Sequence, residues 1–283
     1  NPGAFNNVIG FRPSTNVVMD EGDEINRLLS TSGPMGRNTK DLISLLNTIA
    51  LKPEFNGIQP LDFNNVKIGW LKDLDGYLPF EPGILKLCEN SLSKLTSARA
   101  KVEVTQTKLN PSDLWTCWTT LRHQTRLKML EFYENPMTHN LLKPELVWEI
   151  EQALSLKEKN IEEAELFRKE WYAELDRLFD KYDFLILPTA QVFPFSTDIH
   201  WPKEINGRIM DTYHRWMEVV IMASIGGIPA INLPTGFDSR GRPMGLQVMG
   251  KFGNDRRVLE FGLAYEQITD YLDVRPELVF YDS

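Results

Sequence analysis

Apolar side chains recur along the chain at two spacings, and the two alternate. Leu42, Leu45, Leu46 and Ile49 fall on one face of a helix that Asn38 or Thr39 caps, with Asp41 in its first turn. Val66 to Leu71 is a short apolar run suited to a buried strand. Ile84, Leu87, Cys88, Leu92 and Leu95 predict a helix from about Gly83 to Lys101, and Val102 and Val104 then alternate with polar neighbours as in a strand. Pro111-Ser112-Asp113 opens a helical segment reaching Glu134, since proline is tolerated in a first turn. Further helices are expected over Leu142 to Leu156 and Lys157 to Lys181, the second dense in Glu and Lys, which reads as a solvated face. In the last third, Phe184-Leu185-Ile186-Leu187 is a continuous apolar run stopped by Pro188, as in a parallel strand buried on both faces. Arg208 to Ile225 is expected as a helix. Ala230 to Leu233 is expected as a strand stopped by Pro234, Met244 to Met249 as another, and Asp255 to Thr269 as a closing helix. Residues 1–37, rich in Gly, Pro, Asn and Ser, read as loop with short strand pieces. Strands alternating with helices predict an α/β sheet covered on both sides, with a helical region at about 110–181 beside it.

The 283 residues carry 31 Lys and Arg against 39 Asp and Glu, a formal net charge of −8, with 42% hydrophobic residues and a mean hydropathy of −0.29. This is globular composition, and the acidic balance argues against a nucleic-acid coat, which needs a basic face. No apolar run reaches the ~20 residues that span a bilayer, and no charged-then-apolar leader opens the chain. Cys88 and Cys117 are too few for a disulfide framework or a zinc cluster, so a reducing, cytoplasmic setting is expected. His123, His139, His200 and His214 show no i,i+4 pairing and there is no HExxH or CxxC, so neither metal nor cofactor is expected. Gly226-Gly227 stands between a helix and a strand, the reverse of a phosphate-binding loop. No GxSxG elbow is present, and Ser224, near Gly226 and His214, reads as a structural hydroxyl.

Two features carry more. Gly226-Gly227-Ile228-Pro229-Ala230 joins a helix to a buried strand without bulk, where backbone can approach closely. Just before it, Tyr213, Trp216, Met217 and Val220 fall at helical spacing. An aromatic and methionine stripe of this kind walls an apolar pocket or packs a core, and the spacing alone leaves both open.

Five ordered motifs resemble the amidase signature hydrolases. Asn1-Pro2-Gly3-Ala4-Phe5, followed by Gly10-Phe11-Arg12-Pro13-Ser14, is similar to that family's pro-ala-ala/ser-phe and gly-(leu/phe)-lys-pro-(ser/thr). Gly33-Pro34-Met35-Gly36-Arg37-Asn38-Thr39-Lys40-Asp41 resembles gly-pro-met-ala-arg-thr-val-glu-asp, and Asp183 to Ala190 resembles asp-val-leu-leu-thr-pro-thr. Gly227 to Gly236 and Arg242 to Gly250 complete the series, with Asp255 and Glu266 at familiar places. The resemblance implies a mixed β-sheet core wrapped by helices. It also implies carboxamide hydrolysis through a serine nucleophile, a bridging serine in a cis peptide and a lysine, by way of an acyl-enzyme.

In that family the lysine, the bridging serine and the gly-gly-ser-x-arg motif all precede the pro-ala-phe element. No position here matches any of the three, and Ser32 and Lys40 lie downstream. No catalytic residue is therefore assigned. The expectation is that residues 1–283 are the C-terminal portion of an amidase signature domain, inactive alone, with the missing N-terminal segment as partner. A small-molecule amide is the expected substrate and a homo-oligomer is possible. The resemblance makes the helix before the gly-x-pro-ala turn part of the acyl pocket, so Tyr213, Trp216, Met217, Val220 and Gly226 are the expected substrate-binding residues. Glutamine-channelling relatives place an acid near Met217; none is taken to fill that place here, which favours an apolar or neutral acyl group. Two competing readings remain at this point: a non-catalytic truncated scaffold, and an independent hydrolase using an internal serine and histidine.

Overall fold

The computed structural model describes residues 1–19 and 29–274. In chain order the elements are α1 (Pro2–Phe5), β1 (Ile9–Arg12), β2 (Met35–Gly36), α2 (Thr39–Ile49), β3 (Lys67–Trp70), α3 (Ile84–Ser97), β4 (Lys101–Val104) and α4 (Pro111–Arg126). A 3-10 turn at Leu127–Met129 leads to α5 (Leu130–Glu134), α6 (Pro136–His139), α7 (Pro144–Ser155) and α8 (Glu158–Lys181). Then follow β5 (Phe184–Pro188), a small hairpin β6 (Glu204–Ile205) and β7 (Arg208–Ile209), a 3-10 segment Arg215–Val220, α9 (Ile221–Gly226), β8 (Ala230–Phe237), β9 (Pro243–Met249) and α10 (Asp255–Gln267).

Seven strands form one sheet in the order β2-β1-β8-β9-β5-β3-β4. β3 pairs parallel with both β4 and β5, and every other neighbouring pair is antiparallel, so the sheet is mixed. The Phe184–Leu187 run is buried throughout because β5 has a strand on each side, parallel β3 and antiparallel β9, with helices packed over the sheet. The strand ends at Pro188, its last residue. Pro234, by contrast, does not stop β8: the strand runs on to Phe237 through a bulge between Pro234 and Gly236, which accommodates the missing N–H.

The helix starts follow local chemistry. Asn38 Oδ1 accepts from the Asp41 N–H at 2.8 Å, and Asn110 Oδ1 accepts from the Ser112 N–H at 3.1 Å ahead of Pro111. The region expected to be helical at 110–181 is α4 to α8, but its first stretch breaks at Leu127–Met129 instead of running unbroken to Glu134. Glu149, buried on α7, ties the bundle together by accepting from Arg122 Nε at 2.5 Å and facing Arg126 Nε at 3.3 Å, both on α4.

The largest departure from expectation is at 208–225. In place of one helix the chain makes strand β7, a loop, a 3-10 segment and only six residues of α-helix. Tertiary hydrogen bonds override the helical periodicity here. Gln191 Oε1 accepts from the Val219 N–H at 3.0 Å, and Gln247 Nε2 donates to the Val219 carbonyl at 2.9 Å and to that of Pro188 at 3.1 Å. Two buried amides from β9 and the loop after β5 thus satisfy backbone groups of this tighter turn.

Candidate active-site wall

Motif residues that look catalytic by position are structural. Asp255, 3% exposed at the start of α10, accepts from the Ser14 N–H at 2.7 Å and the Ser14 hydroxyl at 2.5 Å. Glu266 accepts from the Thr39 N–H at 2.5 Å and also from its hydroxyl. Burial pushes both carboxyls up, against the pull of these hydrogen bonds. The Ser224 hydroxyl donates back to the Val220 carbonyl at 3.3 Å, a local helix bond. His214 is pushed down to about 3, by burial first and then by Arg122 and Arg126, so it is neutral at physiological pH.

The expected pocket residues separate into two places. Trp216 and Met217 join an apolar cluster apart from the main core, with Val192, Ile205 and Met210 buried beside Trp216 and Phe5, Phe195 and Trp201 packed around. Phe5 lies nearly parallel to the Trp216 ring, with centroids 6.1 Å apart and planes at 30°. Phe195 meets that ring edge-on at 5.4 Å. The first turn of the chain, the loop after β5, the β6–β7 hairpin and the 3-10 segment therefore converge on one aromatic wall. Tyr213 stands at its margin, half-buried, edge-on to Trp201 at 6.3 Å and to His214 at 5.0 Å. His200, on the same loop, meets Glu145 of α7 at 2.6 Å and pins that loop to the helical bundle. Val220 turns to the main core.

Gly226 is elsewhere, ten residues along the 3-10 and α9 segment, on the order of 15 Å away at ordinary helical rises. It lines a different, mostly apolar cavity of about 330 Å³ with Gly227, Tyr172, Phe179 and Phe252. A Cβ on Gly226 would lie 2.5 Å from Leu175 Cδ1. Gly227 ends α9 in the left-handed region at φ 60°.

An acid does stand next to Met217, which corrects the expectation drawn from its absence. Glu218 is 2% exposed, accepts from the Tyr77 hydroxyl at 2.6 Å and from Arg215 Nη1 at 3.2 Å, and has its carboxyl pushed up by burial. Both of its oxygens are engaged. Arg208 caps the carbonyl of Tyr77 from the other side. Sequence reading missed Phe5 and Phe195, which reach the wall from distant stretches, and Gln191, Gln247 and Glu218, whose hydrogen bonds hold the 3-10 segment in place. Among the described residues no group of three or more His, Cys, Asp or Glu is placed to hold a metal ion. Among them, too, no helix is long and apolar enough to cross a membrane.

A mixed sheet with flanking helices defines an α/β scaffold. A profile of the amidase family matches residues 1–259, and the chain belongs to that family, the amidase signature proteins. A glutamyl-tRNA(Gln) amidotransferase component from Sulfolobus acidocaldarius is 25% identical over 313 residues, which cover 96% of this chain and 63% of that one. The component of the same description from Synechococcus sp. (strain RCC307) is 36% identical over 104 residues, 37% of this chain and 20% of that one. Among solved structures, a bacterial aryl acylamidase of the amidase signature family aligns with a TM-score of 0.85 at 21% identity, covering 97% of this chain and 62% of that one. The 6-aminohexanoate cyclic dimer hydrolase in complex with substrate aligns at 0.80 and 17% identity, covering 98% and 63%. The chain thus spans about three-fifths of the length of these solved relatives, and the structural likeness establishes the shared fold.

Proposed function

We propose that this chain is the pocket-bearing portion of an amide hydrolase that cleaves a carboxamide C–N bond through a serine acyl-enzyme, with the nucleophile, bridging serine and lysine lying outside these 283 residues. The family match over residues 1–259 carries the reading. Two further observations support it. No residue here matches the family's three catalytic positions, and the hydroxyls of Ser14 and Ser224 are engaged in structural hydrogen bonds. On this reading Tyr213, Trp216 and Met217, with Phe5 and Phe195, wall the acyl group. Val220 and Gly226 fix the segment that carries them, by packing into the core and by closing α9 onto Leu175. An apolar wall gains free energy by burying apolar surface, which favours small amides with an apolar acyl half.

The test is complementation. The chain is assembled with an amidase-signature segment bearing the lysine and the gly-gly-ser-x-arg motif, and release of ammonia from aryl carboxamides is followed. Turnover by the pair and none by the chain alone is expected. A correctly assembled pair that releases no ammonia, or fluorophosphonate labelling of a serine in the chain alone, would overturn the reading.

A further inference from the structure

The cavity at Gly226 stands apart from the aromatic wall. Its volume of about 330 Å³ is that of a small-molecule site. It lies between α8, the end of α9 and the turn after β9, and Leu175, Phe179, Ile228 and the Tyr172 ring give it apolar walls. Phe252 lines it too and is 59% exposed, so a large ring is held at the cavity with much of its surface in water. The glycines build the floor. A Cβ on Gly226 would meet Leu175, one on Gly227 would lie 2.6 Å from Thr15 Oγ1, and the Gly227 carbonyl accepts from the Thr15 N–H at 3.0 Å. These backbone groups are paired, and the space above them is preformed.

The polar groups of the cavity are few and their charges cancel. Lys251 Nζ meets Asp176 Oδ1 at 3.1 Å, joining the turn after β9 to α8. Both side chains are solvent-exposed, so the pair itself adds little stability, and each member keeps spare capacity: further N–H donors on the ammonium and a second oxygen on the carboxylate. Asn16, in the left-handed region at φ 73°, adds a neutral amide beside them. Arg168, one turn before Tyr172, is paired with Glu165 at 3.0 Å and does not line the cavity.

We propose that this cavity is a second small-molecule site, distinct from the acyl wall, and that it binds a neutral primary carboxamide carried on a small apolar body. The proposal goes beyond the acyl-wall reading and does not depend on it. The body is specified by the walls, since Phe179, Tyr172 and Phe252 offer ring surface, and covering Phe252 removes apolar area from water. The head group is specified by the Lys251–Asp176 pair. A carboxylate would meet Lys251 but also Asp176, an ammonium the reverse, and either would bring an uncompensated charge to an apolar cavity. A carboxamide accepts from the Lys251 ammonium through its carbonyl and donates to the Asp176 carboxylate through its N–H. Both bonds are charge-assisted, and the pair stays neutral.

The experiment titrates the ¹⁵N-labelled chain with 3-phenylpropanamide, 3-phenylpropanoate and 3-phenylpropylamine, which share one apolar body and differ in head group. The amide is expected to bind about tenfold more tightly than either charged compound, and to shift the backbone resonances of Gly226, Gly227 and Phe252. Two substitutions at exposed positions then read the head group. In Lys251→Met the amine is expected to bind more tightly than the acid, and in Asp176→Asn the acid more tightly than the amine. An unchanged order of the three compounds in both variants would overturn the role of the pair, as would a charged compound binding the unsubstituted chain as well as the amide does. If none of the three moves Gly226, Gly227 or Phe252, there is no site. Binding is expected to persist when the lysine-bearing segment of the complementation test is added. If that segment displaces the amide, the cavity is a seat for the segment and the proposal falls, while the acyl-wall reading stands.

Discussion

Asp255 and Glu266 do the same work at two ends of α10. Each carboxylate gathers a backbone N–H and a hydroxyl from one residue more than two hundred positions away, Ser14 and Thr39 respectively. The Ser14 hydroxyl in turn accepts from the Gly253 N–H at 3.0 Å, so the loop after β1 and the turn before α10 close on each other. An Asp255→Asn variant keeps one acceptor but turns an amide donor toward Ser14. It is expected to cost about 2 kcal/mol of stability, measured by urea unfolding, because buried donors lose a charge-assisted partner. Both residues were recognisable in the sequence as family landmarks, but their role was not. Nothing in the spacing of two carboxylates tells a structural clasp from a catalytic acid until the partner side chains are known.

At the scale of elements, the 3-10 and α9 segment is held from three directions. Amides of Gln191 and Gln247 fix Val219, the Glu218 carboxylate anchors to Tyr77, and Trp171 Nε1 on α8 donates to the Met222 carbonyl at 3.1 Å. The close approach of α9 to α8 depends on Gly226, whose missing Cβ leaves room for Leu175. Gly226→Ala is expected to destabilise by about 2 kcal/mol through overpacking. In the double variant with Leu175→Ala the two costs should add to less than their sum by roughly 1 kcal/mol, as thermal or urea unfolding of the four proteins would reveal. A purely additive result would show that this contact is not what the glycine protects. The apolar stripe at Tyr213, Trp216, Met217 and Val220 is legible in the sequence as helical spacing. The 3-10 winding changes that, and Val220 goes to the core while Trp216 and Met217 go to the wall.

Over the whole molecule, the helical bundle and the wall segment meet through a buried cluster that responds to acid. His123, on α4, is pushed down to about 4 and His214, before the 3-10 segment, to about 3, in both cases by burial first and then by Arg122 and Arg126. In the unfolded chain both rings would protonate near pH 6.5. Below that pH the unfolded state binds more protons, so stability falls as pH drops from about 6.5 toward 4. The pair should account for roughly 3 kcal/mol of loss between pH 7 and about 4.5, allowing for partial solvent access. Asp255, Glu266 and Glu218, with raised carboxyls, give the opposite slope, since the stability they favour is present at low pH and lost as pH rises through their raised values. The histidine contribution is isolated by comparing the chain with a His123→Gln/His214→Gln variant in urea unfolding at pH 7 and 4.5. A variant as acid-sensitive as the parent would remove the histidines from the account.

The sequence alone determined the alternation of buried strands with amphipathic helices, the starts of α2 and α4, and family membership. Each of these is written in contiguous residues, as periodicity, a capping side chain or a short motif. Only the tertiary structure decided which strands are neighbours, how residues 208–226 are wound, and which aromatic rings meet. Those outcomes depend on Gln191, Gln247, Phe5 and Trp216 coming together from stretches as much as 242 positions apart, where hydrogen bonds and packing between distant segments outweigh local preference.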